Sequence, residues 1–518
     1  MKSTTLARSG TIVGLMTLLS RILGFVRDQV LAIVFGAGAT TDVFLVAFKI
    51  PNFLRRLFAE GAFAQAFVPV FTEYKETRSK AAMLDLAANV SGTLIVILLL
   101  VTTLGVMLSP LIIMLFAPGF IDDPDRYDLA THMLRITFPY LFFVSLVAYC
   151  GSMLNTFGKF AIPSFTPVLL NICMITAALV FSSQFAIPIV ALAWGVFAAG
   201  LAQLLLQVPF LRQIGLLPRP RWGWNHSGVR RILKLMAPAI LGSSVAQINL
   251  LLDTIIASFL TAGSLSWLYY SDRLMEFPLG LLGVTLGTVI LPRLSREHSL
   301  KTEDDFRKTL DWALRLVFIL GVPSAIALML LSEGMLMTLF GYGQFSADDA
   351  LMASYSLIAY GAGLPAFLLI KIFAPAFFAR QNTRTPVRIG IVALISNMAY
   401  NLMFVLPMIW LDFIAPHTGL ALASSLSAWQ QALMLYRELS KEDIYRLSEN
   451  VGRFVLKATP GVVALTLVML ASKGVDWTVL DAIGRLTRLL AIISGSAAVY
   501  AVVLMISGIR LRQLVNPS

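Results

Sequence analysis

The chain is predicted to be an all-α polytopic membrane protein of about fourteen transmembrane helices, built as two six-helix lobes plus two C-terminal helices. Three observations lead there. Hydrophobic residues are 58% of the 518 and charged residues only 13%, roughly half the charged share of an ordinary soluble domain. The mean hydropathy is +0.81, and the apolar residues fall in runs of about 20 to 30 between short loops, the length a bilayer demands of a helix. Finally, turn and proline landmarks in the first half return in the second at an offset of about 225 residues, the pattern of repeated halves in transporters.

Apolar runs and their breakers place the helices near 10–36, 41–72, 88–116, 129–155, 161–182, 187–211, 236–260, 264–291, 310–341, 350–379, 387–410, 413–436, 453–472 and 483–509. The first is preceded by Lys2 and Arg8 and so resembles a signal peptide. Arg21 and Arg27 interrupt its apolar stretch and no small-x-small cleavage site follows, so it is read as a retained helix. The second is part spanning and part interfacial. The repeat pairs the loop at Ala37-Gly38 with Ala262-Gly263, Pro51 with Pro278, Pro69 with Pro292, Phe138-Pro139-Tyr140 with Leu364-Pro365-Ala366, the Lys159–Pro163 loop with 382–386, and Asn171 with Asn397. The resulting domains are an N-terminal lobe 1–215, a linker 216–235, a C-terminal lobe 236–440 and two extra helices within 441–518. These last carry Gly461 and Gly495 as close-approach points.

Lys and Arg outside the spans concentrate in the N-terminal tail, every second loop and the C-terminal tail. The positive-inside rule then puts both termini in the cytoplasm. This topology accounts for the net charge of +12 without nucleic acid, for which no binding motif is present. Arg230, Arg231 and Lys234 beside Trp222 and Trp224 read as a juxtamembrane segment lying along anionic headgroups.

A charge at bilayer depth costs about 2.5–3.5 kcal/mol on insertion scales, so charges inside spans face a polar interior. At 100° per residue Arg21 and Asp28 lie about 20° apart, with Arg27 along the same side of the first helix. Asp42, Lys49, Arg56 and Glu60 share a stripe on the second, although Pro51 should kink it. The eighth adds Asp272, Arg273 and Glu276. Some of these charges simply pair: Arg27 with Asp28 or Asp42, Arg56 with Glu60, Arg273 with Glu276. Taken together, the cations predict a cationic cavity suited to a multivalent anion such as a pyrophosphate.

No GxxxxGK[ST], HExxH or GxSxG motif occurs, so ATP hydrolysis and common hydrolytic chemistry lack residues to carry them. The protein is expected to be no enzyme and to hold no cofactor. Cys150 and Cys173 sit in apolar helices and read as packing residues, while the four histidines show no metal spacing, so no metal is assigned. Gly283 and Gly287 form a GxxxG, read as close helix packing. Asp253 is an isolated carboxylate in the seventh helix, and Asn397 and Asn401 share one face of the eleventh.

Ser20-Arg21-Ile22-Leu23-Gly24-Phe25-Val26-Arg27-Asp28, Phe35-Gly36-Ala37-Gly38, Thr41-Asp42 and the block from Pro51 to Phe63 closely resemble the MurJ (MviN) family of lipid II flippases, within the MOP exporter superfamily. Tyr270-Ser271-Asp272-Arg273-Leu274-Met275-Glu276-Phe277-Pro278 is similar to that family's eighth-helix signature. The resemblance implies movement of the undecaprenyl-pyrophosphate-linked peptidoglycan precursor, lipid II, from the cytoplasmic to the periplasmic leaflet of a bacterial inner membrane by alternating access, alongside cell-wall synthesis proteins. It implies cavity arginines at Arg21, Arg27, Arg55 and Arg273 with acidic partners at Asp42, Glu60 and Glu276. Helical geometry alone does not choose Arg55 over Arg56. With no motif for ATP hydrolysis, a monovalent cation gradient or the membrane potential is left to drive transport, and the resemblance further implies a sodium site between the helices of Asp253 and of Asn397 and Asn401. It also associates the two last helices with a hydrophobic groove for the lipid tail. The alternative is a related MOP-type exporter of another polyprenyl-linked glycan or of drugs.

Overall fold

The computed structural model describes residues 3–300, 302–472 and 474–509, leaving aside the side chains of residues 3–9, 58–61, 239, 241–248, 284–286, 288 and 289. Their helices run in fourteen successive segments: Ser3–Phe35; Ala39–Leu54 with Arg55–Phe63 and Ala64–Thr77; Lys80–Met107 with Ser109–Phe116; Pro124–Thr137 with Tyr140–Thr156; Ala161–Thr176 with Ala177–Phe181; Val190–Gln213; Ser227–Ser258; Ser264–Ser299; Glu303–Leu316 with Val317–Gly321, Val322–Leu330 and Ser332–Leu339; Ala347–Ala379; Arg384–Trp410; Thr418–Lys441; Glu449–Ala471; and Ala482–Ile506. Among the described residues, nine of these are long and apolar enough to cross a membrane by length and composition.

Local chemistry sets where the segments begin and end. The side chains of Ser79, Asp123, Ser448 and Asp481 accept from backbone amides of the helices they precede, satisfying donors that the first turn leaves open. Ser346 and Asp349 form a reciprocal capping box at the tenth segment. Gly36 supplies the left-handed turn (φ 68°) between the first and second. Three stretches are π-helical: Arg55–Phe63, Ala177–Phe181 and Val317–Gly321.

By contact density the chain divides into two units, Met1–Gly263 and Ser264–Ser518. In the first, Phe63, Phe67, Phe71, Tyr74, Tyr149 and Met153 build a core, and Tyr149 Oη donates to the Ala87 carbonyl at 2.8 Å. The seventh segment packs with this unit, against Arg55–Phe63 and Ala64–Thr77. It starts at Ser227, so the second half of the expected linker 216–235 is helical.

In the second unit, Ala347–Ala379 is the central helix, flanked by Ser264–Ser299 and Thr418–Lys441. A Cβ at Gly363 would lie 2.4 Å from Ser425 Oγ, and that hydroxyl donates to the Ala359 carbonyl at 2.7 Å, so the two backbones meet closely. The last two segments pair with each other and lean on the ninth. Tyr500 Oη donates at 2.9 Å to Ile319 O, inside the π-helical stretch. Gly461 does face Tyr500 and Leu504, but a Cβ at Gly495 would meet nothing within 4 Å. The GxxxG reading also needs correction: Gly283 has only ordinary contact with Lys371 and Gly287 has open space. Among the described residues, neither serves a close helix crossing.

Candidate functional site

The charged residues in the C-terminal half of the first segment are Arg21, Arg27 and Asp28. Arg27 and Asp28 are buried, at 7% and 2% exposure. Although adjacent residues leave a helix about 100° apart, the long arginine side chain reaches round, and Arg27 Nε and Nη2 donate to Asp28 Oδ1 at 2.9 and 2.7 Å. The guanidinium's Nη1 reaches Asn171 Oδ1 of the fifth segment at 3.1 Å. Asn171 Nδ2 in turn donates to the Ser20 carbonyl at 3.0 Å, which fixes the amide's orientation. A buried arginine is thus held by a carboxylate and an amide, the satisfaction that burial of a charge requires. Arg21 is exposed. Asn171 was not among the expected site residues; its pairing with Asn397 in the repeat is the one sequence signal that marks it.

On the second segment the expected stripe is real as far as Pro51. Lys49 Nζ donates to Thr254 Oγ1 of the seventh segment at 2.6 Å. One turn pair earlier, buried Asp42 accepts from the Gly263 amide at 2.7 Å and lies 3.8 Å from Arg126 Nη2. Asp42 therefore ties the second segment's first turn to residue 263, just past the end of the same neighbour, and Arg126 is a partner that stripe arithmetic on one helix cannot supply. Beyond Pro51 the helix enters its π-helical stretch, where 100° per residue no longer holds. Arg55 there is half-buried, with Nε donating to Asn52 Oδ1 at 2.8 Å, whereas Arg56 is exposed. The Glu60 side chain lies outside the described residues.

In the second unit, Arg273 and Glu276 form the expected pair, Nη1 to Oε2 at 2.9 Å. Tyr269 Oη accepts from Arg273 Nη2 at 3.3 Å, and the guanidinium lies 4.9 Å from that ring's centre. Of the residues expected at a cation site, Asp253 is on the seventh segment in the first unit. Asn397 and Asn401 are on the eleventh, both buried at 1% and 0% exposure, with Asn401 Nδ2 donating to Asn397 Oδ1 at 3.1 Å. Among the described residues no cluster of three or more His, Cys, Asp or Glu could hold a metal ion.

A family model described as lipid II flippase MurJ matches residues 31–486. The probable lipid II flippase MurJ of Haemophilus influenzae is 48% identical over 516 residues, covering 97% of this chain and 100% of that protein. The lipid II flippase MurJ of Burkholderia cenocepacia is 40% identical, covering 95% and 96%. A solved lipid II flippase MurJ in an inward closed conformation superposes with a TM-score of 0.80 at 27% identity, covering 98% of this chain and 100% of that one. An inward-facing multidrug-resistance MATE transporter of the MOP superfamily shares the fold, with a TM-score of 0.63 at 12% identity over 84% and 98% of the two chains. On the strength of a match that spans nearly the whole chain, this multi-pass membrane protein belongs to the MurJ family of lipid II flippases.

Proposed function

We propose that the chain moves lipid II, the undecaprenyl-pyrophosphate-linked peptidoglycan precursor, from the cytoplasmic to the periplasmic leaflet of a bacterial inner membrane, with both termini in the cytoplasm. The observation that carries this reading is the near full-length identity of 48% to a probable lipid II flippase. The charged residues inside the membrane helices support it. A pyrophosphate offers several acceptor oxygens, and planar guanidinium forks match them better than point charges do. Arg21, Arg27, Arg55 and Arg273 are the residues assigned to that recognition. Asp28 and Asn171 hold Arg27, Asn52 holds Arg55, and Glu276 and Tyr269 hold Arg273. Each tether restrains a guanidinium, which lowers the entropy lost on engaging a phosphate. Asp42 and Glu60 complete the acidic set.

The chain supplies transport, not catalysis, and binds no cofactor. Its turnover is driven by a monovalent cation gradient or by the membrane potential, with Asp253, Asn397 and Asn401 as cation-binding residues. The lipid tail stays against the last two segments, whose exposed Leu456, Val463, Leu467, Leu490 and Val502 keep it out of polar surroundings. The test is to replace a cell's own flippase with this chain, deplete it, and detect the precursor leaflet by leaflet. Accumulation in the cytoplasmic leaflet is expected on depletion. Unchanged movement across the membrane would refute the assignment.

A further inference from the structure

Between the sixth and seventh segments the chain runs as a strap, residues 214–226, across the third segment. Arg221 N donates to Ala88 O at 2.9 Å and Gly223 N to Thr93 Oγ1 at 3.1 Å. The crossing is close: a Cβ at Gly92 would lie 2.1 Å from Arg221 O, and one at Gly223 would lie 2.3 Å from Asn89 Cβ. His226 closes the strap, 3.4 Å from Asp85. This strap is held by backbone bonds and small-residue contact, yet it leaves its two largest apolar side chains uncovered. Trp222 and Trp224 are 59% and 47% exposed and stack on each other with centroids 5.9 Å apart and planes within 7°.

Their level along the third segment identifies what covers them. The exposed apolar run of that helix begins at Val96 and continues through Leu99, Leu100 and Leu104. At 1.5 Å per residue it starts about 5–12 Å beyond the strap's crossing at residues 88–93. On the other side lie Lys80, Asp85 and Arg221, whose side chain is 69% exposed. The tryptophan pair therefore sits where hydrocarbon-facing surface gives way to charge, the level at which tryptophan is enriched in membrane proteins. Arg219 and Arg221 precede it in sequence, and Arg230 stands nearby, bonded to Asn225 Oδ1 at 2.6 Å. Asp85 reaches Arg221 only at 3.8 Å, so this rim keeps a cationic excess.

We propose that the strap is a membrane-surface anchor for anionic phospholipid: Trp222 and Trp224 seat among the headgroups, and Arg219, Arg221 and Arg230 bind their phosphates. The anchor does not depend on what the protein transports. It fixes the link between the sixth and seventh segments to the leaflet, and its occupant is the lipid surface.

The test uses the full chain in lipid nanodiscs of phosphatidylcholine with either brominated phosphatidylglycerol or brominated phosphatidylcholine, with tryptophan fluorescence as readout. The difference between the parent and a Trp222→Phe, Trp224→Phe protein isolates the pair, and Phe keeps an aromatic body at each position. The pair's emission is expected to be quenched by brominated lipid, more by the anionic one. Arg219→Ala and Arg221→Ala should each reduce that anionic preference about fivefold. Quenching of the pair by aqueous iodide and not by brominated lipid, as a cytosolic partner surface would give, overturns the anchor. Equal quenching by the two lipids, or a preference that survives both arginine changes, overturns the anionic assignment. Unchanged thermal unfolding of the variants in the same discs excludes misfolding as the cause.

Discussion

Arg27 and Asn171, 144 positions apart in sequence, meet at 3.1 Å, and this bond joins the first segment to the fifth. Asp28 already takes two of the guanidinium's donors, but its place one residue on confines it to one side of the fork. The other side needs an acceptor from a different helix. Asn171 is suited because its own amide is spent on Ser20 O, which turns its oxygen toward the arginine.

Asn171→Leu should remove one acceptor from a buried charge, destabilising the protein by about 1–3 kcal/mol. Asn171→Asp keeps an acceptor and should cost less. Thermal unfolding in detergent ranks the three proteins, and a Leu variant as stable as the parent would contradict the bond's importance.

Replacing Arg21, Arg27, Arg55 or Arg273 singly with Ala should abolish complementation of a flippase-depleted strain while leaving membrane insertion intact. Lys should rescue in part, because charge persists but the bidentate fork does not. Growth of all four Ala strains at parental expression would remove these residues from headgroup recognition.

Asp253→Asn is expected to slow turnover and to abolish any dependence on external sodium, with affinity for the precursor unchanged, since an ion drives transport through the state it prefers. Turnover measured in liposomes with and without a sodium gradient decides. A variant with parental rate and parental ion dependence would mean that coupling lies elsewhere.

A chain ending after about residue 447 should insert and persist but fail to move lipid. Its loss reaches beyond apolar surface: Ser448 and Tyr500 both bond the ninth segment, at Asp311 and Ile319, and Arg485 bonds Gly341 O at 2.7 Å. Arg485→Ala is the milder version, expected to weaken complementation. Full complementation by the stably expressed truncated chain would place the tail's path elsewhere.

Glu73 and Arg231 form an exposed pair at 2.8 Å, and the Arg231 hydrogen bond holds the Glu73 carboxyl below its ordinary range. A carboxyl depressed by folding contributes stability above its unfolded value and loses it as pH falls through the folded one. The tie between Ala64–Thr77 and Ser227–Ser258 should therefore be indifferent to pH near neutrality and loosen only in acid. Hydrogen exchange at the start of the seventh segment, compared with Glu73→Gln, tests this; acid sensitivity that persists in the Gln protein would assign it to another group.

Much of this architecture is legible in the sequence because a bilayer filters so strictly by length: runs of about 20 apolar residues have few alternatives. The neighbours Arg27 and Asp28, and Arg273 with Glu276 three residues on, are legible for the same local reason. Asn171 and Arg126 are not, since the acceptor of Arg27 and the companion of Asp42 come from other helices. The strap is half legible: its tryptophans and arginines mark an interface, but nothing in the composition says that Gly92 and Gly223 let it lie against the third segment. The π-helical stretches carry no compositional sign at all, so the charge stripe of the second segment is read correctly to Lys49 and loses phase after Pro51.

That change of phase has a consequence for length. Each π turn carries one residue more than an α turn, so Arg55–Phe63 works as a rotary spacer between Ala39–Leu54 and Ala64–Thr77. Deleting one residue within it is absorbed as the stretch closes toward an α turn, whereas deleting one between Lys49 and that stretch would turn everything downstream by about 100° against everything upstream. Phe67, Phe71 and Tyr74 would leave the core they now fill, while Asp42 and Lys49 stayed on Gly263 and Thr254. The second segment therefore tolerates substitution more readily than a change in the residue count of its α-helical parts: its two ends are keyed to different neighbours, and the number of residues between them is itself a structural parameter.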